Sequence, residues 1–407
     1  MKYILYVILA LVSFTFNNET HAQYASSPYS MFGIGEIENR TYSINGGMAG
    51  TGIGLQLRNF INTSNPASTH IDTLTFVFDI SSAAKISQFS YGKKTDNSMG
   101  MNMKKLAFGF RFQPKWTISL GLQPYSNVGY KMTTETPITG APETYTTTFE
   151  GSGGLSKLFL SNSYRFNSHL SVGVNASLLF GTVDQTETQS EFLIEKSAFT
   201  RKIYFDFGAQ YTNKIATRSW YTIGAVYGYK TNISLSNDIV VSSRSTGVTL
   251  EQTAKQSTKT AIPQYFGGGA SFETFMGSKA FTFALDYIFE NWGALTNPSP
   301  NAKYTNSHKL SVGAQFLPNI RMPKNYFQRI IYQLGASYNL SNLMLDGQRL
   351  REYAVSVGAN LPISRSMVHF SADFGYRTGK SLMTEKYVML TLGLSFSEMW
   401  FFKRFYD

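Results

Sequence analysis

Apolar and polar residues alternate with a period of two along most of the chain beyond residue 74. In the segment AFTFALDYIFE (280–290), every second residue from Phe281 is aromatic or aliphatic, whereas Asp286 lies on the opposite face. The same alternation recurs at 170–180, 203–211, 310–316, 332–340, 367–377 and 387–396. Segments of about ten residues with an apolar outer face and a polar inner face are typical of a transmembrane β-barrel. The pattern therefore predicts an all-β fold of this class.

The connections between these segments alternate between short and long, which predicts the topology. The short connections lie at 113–115, 167–168, 213–219, 276–279, 319–325 and 364–367. The longer polar connections lie at 85–103, 131–156, 183–200, 232–262, 291–304 and 341–350. Outer-membrane barrels have short periplasmic turns and long external loops, so the spacing predicts an antiparallel barrel of about 14 strands. The strand at 74–84 is expected to pair with the strand at 384–397, because an open sheet edge in lipid leaves backbone groups unpaired.

Two polar stretches leave the strand count open by two. ETYTTTFEG (143–151) and GVTLEQTA (247–254) read either as loops or as strand extensions above the membrane. In either case both termini of the barrel are predicted to be periplasmic.

Composition and charge support a lipid-facing wall. Charged residues make up 15% of the chain, whereas an ordinary soluble domain has about a quarter. A soluble β-sandwich would bury its apolar face and carry more charge outside. The formal net charge of +11 suits contact with outer-membrane lipid and lipopolysaccharide, or simply loop charge for solubility. Nucleic acid is not an expected partner of an exported chain, and the absence of cysteine excludes a lipid anchor, disulfides and a thiol nucleophile.

Both ends of the chain carry targeting or interface signals. Lys2 precedes the apolar run YILYVILALVSFTF, and small residues precede Gln23, which predicts a signal peptide at 1–22. A membrane anchor is the alternative, but the run is shorter than the roughly 20 residues that a spanning helix needs. The aromatic and basic residues at 398–407 predict a periplasmic tail or an interface segment. The mature chain is therefore expected in the cell outer membrane.

Residues 23–73 lack the alternation and are predicted to form a hatch inside a barrel that spans 74–397. A barrel of this size encloses a lumen wider than its own side chains can fill, and this segment is large enough to plug it. The glycine run NGGMAGTGIG (45–54) permits tight packing and positive φ angles. In TSNPAS (63–68), Ser64 or Asn65 can cap a helical turn that begins with Pro66. An ordinary turn into the first strand is the alternative for this motif.

The order of these features resembles the FadL-type outer-membrane transporters of long-chain fatty acids and other hydrophobic compounds. That family has an N-terminal hatch with an Asn-Pro-Ala motif, matched here by Asn65, Pro66 and Ala67. Its third strand is kinked inward, and the third strand here, WTISLGLQPYSNVGYKM (116–132), is interrupted by Pro124. The family's usual Pro-Phe-Gly is not intact after this point. The resemblance covers the whole mature chain in architecture, and in sequence it rests on 45–67 and 116–130.

The resemblance implies lateral diffusion of fatty acids or similar hydrophobic compounds through a gap at the kinked third strand. Each CH₂ group that an acyl chain exposes in an aqueous pore costs about 0.8 kcal/mol, whereas a gap in the wall leads directly into lipid. Pro124 is expected to hold the gap, and the turn Asn65–Ala67 to shape the hatch beside it. The glycines of the run are expected to let the hatch shift when ligand binds. These glycines are Gly46, Gly47, Gly50 and Gly52.

Enzyme chemistry is the first alternative. It needs a positioned Ser–His pair or clustered carboxylates. The mature histidines, His70, His169, His308 and His369, read as polar residues of strands or strand ends. The charged residues expected to face the lumen, Asp206, Asp286, Asp373, Arg111, Arg165 and Arg377, read as ion pairs. No metal spacing or phosphate loop occurs in the sequence, so neither enzymatic activity nor a cofactor is predicted.

An interaction role is the stronger alternative. Barrels that resemble this family also serve as shuttle or anchor components of type IX protein secretion. The Thr- and Ser-rich stretches at 131–156 and 232–262 would then be docking surfaces for secretion-machinery proteins, or simply external loops. A transporter should bind lipids in its lumen, whereas a shuttle should copurify with proteins.

Overall fold

The computed structural model describes residues 27–71, 76–137, 144–295 and 302–398, which form a closed barrel of fourteen antiparallel strands around an inner segment. This confirms the predicted all-β transmembrane barrel with an N-terminal hatch in its lumen. The predicted signal peptide, all but the first residue of the predicted tail, and the predicted boundary between hatch and barrel lie outside the described residues. Among the residues described, no helix is both long and apolar enough to cross a membrane.

The barrel strands are named β1 to β14 in chain order. The first seven are β1 (Phe76–Tyr91), β2 (Lys94–Gln113), β3 (Trp116–Pro137), β4 (Thr144–Arg165), β5 (Leu170–Gln189), β6 (Phe192–Ala216) and β7 (Ser219–Gly228). The others are β8 (Tyr265–Met276), β9 (Lys279–Glu290), β10 (Ser307–Leu317), β11 (Ile331–Leu345), β12 (Gln348–Ile363), β13 (Ser366–Thr378) and β14 (Thr384–Glu398). Each strand pairs with the next, and β14 pairs with β1 from Glu398 opposite Phe76 to Thr384 opposite Ser90. The predicted closure of the first strand on the last is thus confirmed.

The alternation in the sequence explains the wall. On β9, Phe283 points outward with 51% of its surface exposed, whereas the lumen-facing Asp286 is only 4% exposed. The other strands repeat this arrangement, with Leu334 on the outside of β11 and Gln333 buried beside it. Apolar side chains on the outside and buried polar side chains inside are the inverse of a soluble domain, as a lipid-facing barrel requires.

The stretches predicted as long loops are largely strand, which corrects the loop assignments. The residues within 85–103, 183–200 and 341–350 lengthen the neighbouring barrel strands. Each pair of lengthened strands forms a hairpin with a two-residue turn. One such turn is Asp346-Gly347, with φ angles of +47° and +73°, and Asp-Gly is favoured in tight hairpins. The tips of these extensions are polar throughout, as in KKTDNS (93–98) and DQTETQS (184–190), so the alternation by which membrane-spanning strands are recognised ends before the strands do. Thr and Tyr nevertheless favour strands.

The chain between β7 and β8 forms an additional hairpin, Thr231–Ser243 with Thr249–Ile262. Its first strand pairs with the upper part of β6, while β7 pairs directly with β8. The hairpin therefore extends the sheet above the barrel and does not enter the wall. The barrel keeps fourteen strands, and the open question of two further strands is settled.

The inner segment, residues 27–71, crosses the lumen with little regular structure. Its short 3-10 turns are Pro28–Met31, Gly46–Met48 and Pro66–Ser68, and its two-residue strands are Glu36–Ile37, Leu57–Arg58 and Thr69–His70. Outside it, further short elements are Trp292–Ala294, Ala302–Tyr304 and Tyr326–Arg329. The inner segment buries Met48, Ile53 and Ile61 almost completely, so it fills the lumen as a packed plug.

Candidate functional site

The barrel wall is incomplete between β2 and β3. The ladder that joins them runs from Gln113 opposite Trp116 to Leu106 opposite Leu122 and ends there. On either side, the β1–β2 and β3–β4 ladders continue to the far ends of their strands. A strand needs about nine to eleven residues to cross the hydrocarbon core, so the ladder is shorter than the membrane is thick. The two strands therefore part within the membrane, on the side of the long hairpins.

Both strands carry a β-bulge at the point where they part. Lys104 is the extra residue of β2 against β1, and Tyr125 is the extra residue of β3 against β4. Bulges bend a strand and end its pairing. Pro124 directly precedes the second bulge, and proline lacks the N–H that a ladder needs. The sequence-based interruption of the third strand at Pro124 thus coincides with the edge of the gap.

Three residues of the inner segment, Glu36 to Glu38, cross the gap and are called the strap. Glu36 and Ile37 pair with β3 as a two-residue antiparallel strand, and the Glu38 amide donates to the Tyr125 carbonyl at 3.0 Å. The Glu38 carboxylate accepts a hydrogen bond from the Lys104 ammonium of β2 at 2.6 Å. The strap is therefore bonded to both bulged edges and closes the gap where the ladder stops.

The strap is also tied by charge to strand β13, three strands away from β2 in the wall. The Glu36 carboxylate lies 2.5 Å from the Arg377 guanidinium of β13. Arg377 also pairs with Glu385 at 2.9 Å, and Glu385 pairs with Lys85 at 2.8 Å. Burial alone would raise the pKa of Glu36, but the positive charges of Arg377 and Lys85 outweigh burial and hold this pKa below its usual value. Glu36 is therefore ionised at neutral pH, and the strap is part of an extended ion-pair network.

The other charges expected in the lumen also have partners. Asp206 accepts from the Tyr265 hydroxyl at 2.7 Å, and Asp373 accepts from Ser356. The guanidinium of Arg40 lies 3.4 Å from the centre of the Tyr265 ring and pairs with Glu290 at 3.0 Å. Arg111 and Arg165 are half-buried near the short-turn end. Ion pairing, as predicted, accounts for Arg377, whereas Asp206, Asp286 and Asp373 are held by neutral donors.

Two cavities meet at the strap. A central cavity of about 210 Å³ is lined by many charged side chains, among them Lys85, Lys309 and Glu352, together with aromatic and aliphatic ones. A smaller cavity of about 30 Å³ lies beside the bulge of β3, and its lining is more aromatic and apolar. Its lining includes Ile37, Pro124, Tyr125, Tyr204, Tyr229 and Ile262. Glu38 borders both cavities, so movement of the strap would join them.

The turn Asn65–Ala67 is formed as the sequence predicts. Asn65 caps the 3-10 turn, accepting from the Ala67 amide at 3.0 Å, with Pro66 at its first position. The turn packs on β4, β5 and β6. A Cβ at Gly208 of β6 would lie 2.1 Å from the Asn65 side chain, and one at Gly173 of β5 would lie 2.3 Å from the Pro66 backbone. The turn therefore packs directly on the wall at Gly173 and Gly208. Pro124, in contrast, lies at the edge of the gap.

The glycine run packs against the other side of the lumen. A Cβ on Gly47 would lie 2.5 Å from the Gly358 Cα of β12, and one on Gly46 would lie 2.7 Å from the Ser371 hydroxyl of β13. Gly52 is enclosed by Asn45 and Ser64 of the inner segment, and Gly50 has a φ angle of +71°. The contact of Gly47 with Gly358 brings backbone against backbone, whereas Gly46 and Gly52 face side chains. The role in hatch movement expected for the glycines stays a prediction, and their observed packing is tight.

Wall side chains bind the backbone of the inner segment. The Asp286 carboxylate accepts from the amides of Gly52 and Ile53 at 2.6 and 2.9 Å. The Gln210 amide donates to the Ile53 and Leu55 carbonyls at 2.8 and 3.1 Å. Gln333 and Asn360 both donate to the Ile44 carbonyl. These bonds satisfy buried backbone groups that an irregular segment would otherwise leave unpaired.

His369, Asn360 and Ser395 form a hydrogen-bonded row in the lumen. His369 Nε2 lies 2.7 Å from the Ser395 hydroxyl, and its Nδ1 lies 2.8 Å from the Asn360 side-chain oxygen. The order hydroxyl, imidazole, amide is one that nucleophilic enzymes use. Here all three residues are buried, Phe60 packs edge-on against the imidazole, and Asn360 also holds the inner segment. The row is therefore explained as an anchor of the hatch, and the absence of enzymatic activity stays a prediction.

Sequence reasoning missed the strap and its partner on β2. The signal was present in GEIE (35–38), where two carboxylates flank one apolar residue, and in the lysine pair at 104–105 of a membrane strand. Charged residues within a membrane-spanning segment are costly and mark functional or paired positions. Neither signal identifies its partner, since Glu38 and Lys104 lie 66 residues apart in the chain.

Comparison with solved structures confirms the FadL-type barrel fold. The toluene transporter TodX of Pseudomonas putida superposes with a TM-score of 0.59 at 13% identity, covering 90% of this chain and 100% of that one. A FadL homologue of Pseudomonas aeruginosa gives 0.58 at 13% identity, covering 89% and 99%. The toluene transporter TbuX of Ralstonia pickettii gives 0.57 at 12% identity, covering 88% and 99%.

Sequence comparison adds the family. No curated protein matches the chain. A family model described as BamG matches residues 1–407, and the chain therefore belongs to the BamG family.

Proposed function

We propose that this protein carries long-chain fatty acids or similar hydrophobic compounds across the outer membrane by lateral diffusion through the gap between β2 and β3. The observation that supports this most directly is the early end of the β2–β3 ladder at Leu106 and Leu122. Solved barrels of the same fold include proteins described as toluene transporters. Outer-membrane lipid and lipopolysaccharide would then surround the wall into which the gap opens.

The polarity of the lumen favours a route beside the wall. An apolar compound in the central cavity would desolvate the many charged side chains that line it beside its aromatic and aliphatic ones. The smaller cavity offers Tyr125, Tyr204 and Ile262 next to Pro124 at the edge of the gap. A compound that follows these side chains reaches the lipid phase without exposing its apolar surface to bulk water.

The residues take different roles in this mechanism. Pro124 and the neighbouring bulge keep the two strands apart, which is the role that the resemblance implies for Pro124. The turn Asn65–Ala67 and the glycines Gly46, Gly47, Gly50 and Gly52 seat the hatch as a floor beneath the route. The strap closes the gap at rest and has to leave it during passage, because it is bonded to both edges.

A cross-link across the gap tests this mechanism. The chain contains no cysteine, so a Glu38→Cys, Lys104→Cys pair can be joined selectively by a short bis-maleimide. Uptake of labelled long-chain fatty acid by cells should fall to the level of cells without the protein. Each single-cysteine variant treated with the same reagent is the control and should keep the uptake it shows without reagent. Uptake that survives complete cross-linking would contradict lateral passage.

A second candidate is a shuttle or anchor barrel associated with type IX protein secretion. The observation that favours it is the charged central cavity, together with the sheet that β3 to β6 and the hairpin 231–262 extend above the barrel. Such a protein should copurify with secretion-machinery proteins and show no dependence of fatty-acid uptake on the strap. Deletion of residues 232–261 should then abolish copurification, whereas the proposed transporter should keep its uptake.

A further inference from the structure

A carboxylate of the chain itself occupies a polar seat at the edge of the gap. The Glu38 carboxylate accepts from the Lys104 ammonium at 2.6 Å and from the Tyr42 hydroxyl. Lys104 is only 7% exposed, and its ammonium lies 5.2 Å from the centre of the Tyr42 ring. The seat therefore consists of one buried positive charge and one phenolic donor, both directed at an anion.

We propose that this seat binds the anionic head group of an amphiphile and that Glu38 is a built-in occupant that such a ligand displaces. The inference rests on the proposed lateral passage and names the class of compound that would use it. A carboxylate or a phosphate monoester presents the same acceptor oxygens as Glu38. A neutral hydrocarbon presents none.

The surroundings of the seat suit the rest of an amphiphile. Glu38 lies between the charged central cavity and the smaller cavity at Pro124. From Lys104, an acyl chain can follow Ile37 and Tyr125 towards the opening between β2 and β3. The seat is thus placed at the boundary between polar and apolar surroundings, where an amphiphile places its head.

Exchange of one anion for another keeps the lysine paired. A buried ammonium without a partner is strongly unfavourable, so loss of Glu38 alone would be costly. An incoming head group restores the pairing of Lys104 as the strap leaves. A neutral compound offers no acceptor in place of Glu38, so it is expected to bind beside the strap and to leave Glu38 on Lys104. The seat therefore selects acidic amphiphiles over neutral compounds of equal length.

Equilibrium binding to the purified full chain in an uncharged detergent tests this proposal, with radiolabelled laurate, dodecyl phosphate and dodecanol as probes. Glu38→Gln keeps the shape of the strap but removes the competing charge. It should bind laurate and dodecyl phosphate about tenfold more tightly than the natural chain, about 1.4 kcal/mol. Dodecanol binding should be unchanged. Lys104→Gln should remove the preference for the charged probes.

Glu36→Gln is the matched control, because it loosens the strap at Arg377 and leaves Glu38 on Lys104. It should gain less affinity for laurate than Glu38→Gln does. The proposal is overturned if Glu38→Gln binds laurate no better than the natural chain, or gains equally for laurate and dodecanol. It is also overturned if Glu36→Gln gains as much, or if inorganic phosphate binds as tightly as dodecyl phosphate.

The uptake experiment separates this proposal from the one on which it rests. If Glu38→Gln binds the charged probes selectively but uptake survives cross-linking, the head-group seat is supported and lateral passage is contradicted. If cross-linking abolishes uptake but Glu38→Gln shows no selective gain in binding, lateral passage is supported and the head-group seat is contradicted.

Discussion

The inner segment is held in the barrel in two different ways. Its body, from the glycine run to the Asn65–Ala67 turn, packs backbone against backbone on wall glycines such as Gly358 and Gly173. The strap is held by two ion pairs and a short backbone ladder. The charged partners of the strap can be exchanged for a ligand or for water. The backbone contacts of the body are too close to admit even a methyl group, so no ligand can take their place. Movement is therefore expected in the strap, while the body stays in place.

The largest expected effect comes from adding a methyl group at the backbone contact. In Gly47→Ala, the new Cβ would lie 2.5 Å from Gly358 Cα, and neither backbone can yield without moving the hatch or the wall. We expect a loss of about 3 kcal/mol in the free energy of unfolding, the upper part of the range for overpacking. Denaturant unfolding followed by heat-modifiable mobility measures it.

Gly268→Ala is the control for that change, because a Cβ at this wall glycine meets open space. Gly268→Ala should leave the denaturant concentration at the midpoint of unfolding nearly unchanged. Equal midpoints for the two variants would show that the body of the hatch yields easily, and the contrast between body and strap would be lost.

The second effect concerns the carboxylate that binds the hatch backbone. In Asp286→Ala, the amides of Gly52 and Ile53 lose their acceptor in a buried place. We expect a loss of about 2 kcal/mol, since an unsatisfied buried donor costs about 1–3 kcal/mol. Hydrogen exchange of these two amides should accelerate, whereas the Glu38 amide, bonded to Tyr125, should exchange as before. Acceleration at all three amides would mean that body and strap move as one unit.

The fold was predictable because its cause is local in the sequence. The alternation around Phe283 and Asp286 identifies a strand and its two faces without knowledge of any other strand. The ends of the strands were harder to predict, since residues 144–150 are largely polar and form no continuous apolar face towards lipid. The Asp346-Gly347 pair indicates a tight hairpin turn. The prediction of a loop at 341–350 did not take this signal into account.

The site was predictable only in part, because its contacts are long-range. Pro124 carries a local signal, the missing N–H, and the structure places it at the gap. The function of Glu36 depends on Arg377, which lies 341 residues away in the chain. No spacing rule connects such a pair. The packing of Gly47 on Gly358 is hidden from the sequence for the same reason, although the glycine run showed that close packing was possible.

A smaller effect is expected from the charge that ties the strap to β13. Glu36→Gln should cost about 1 kcal/mol at neutral pH, since Arg377 keeps Glu385 and Glu352 as partners and is not left unpaired. The pKa of Glu36 is lowered in the folded chain, so its contribution is present above the unfolded value of about 4.3 and is lost as the pH falls through the lowered folded value. The difference in stability between the natural chain and Glu36→Gln, measured from pH 7 downwards, should therefore vanish in acid. A difference that persists or grows in acid would contradict this ion pair.

The smallest effect on stability and a clear effect on passage are expected together at Pro124. Pro124→Ala restores an N–H at the edge of the gap and allows β3 to extend its ladder towards β2, which narrows the opening. The change in unfolding free energy should stay below about 1 kcal/mol, because proline in a compatible backbone acts mainly through the unfolded chain. Uptake of labelled fatty acid should nevertheless fall severalfold. Pro362→Ala, in strand β12 where Pro362 lies opposite Met367 of β13, is the matched control and should leave uptake unchanged. If Pro124→Ala also leaves uptake unchanged in a folded barrel, the kink has no part in passage, and the strap alone would have to account for the opening.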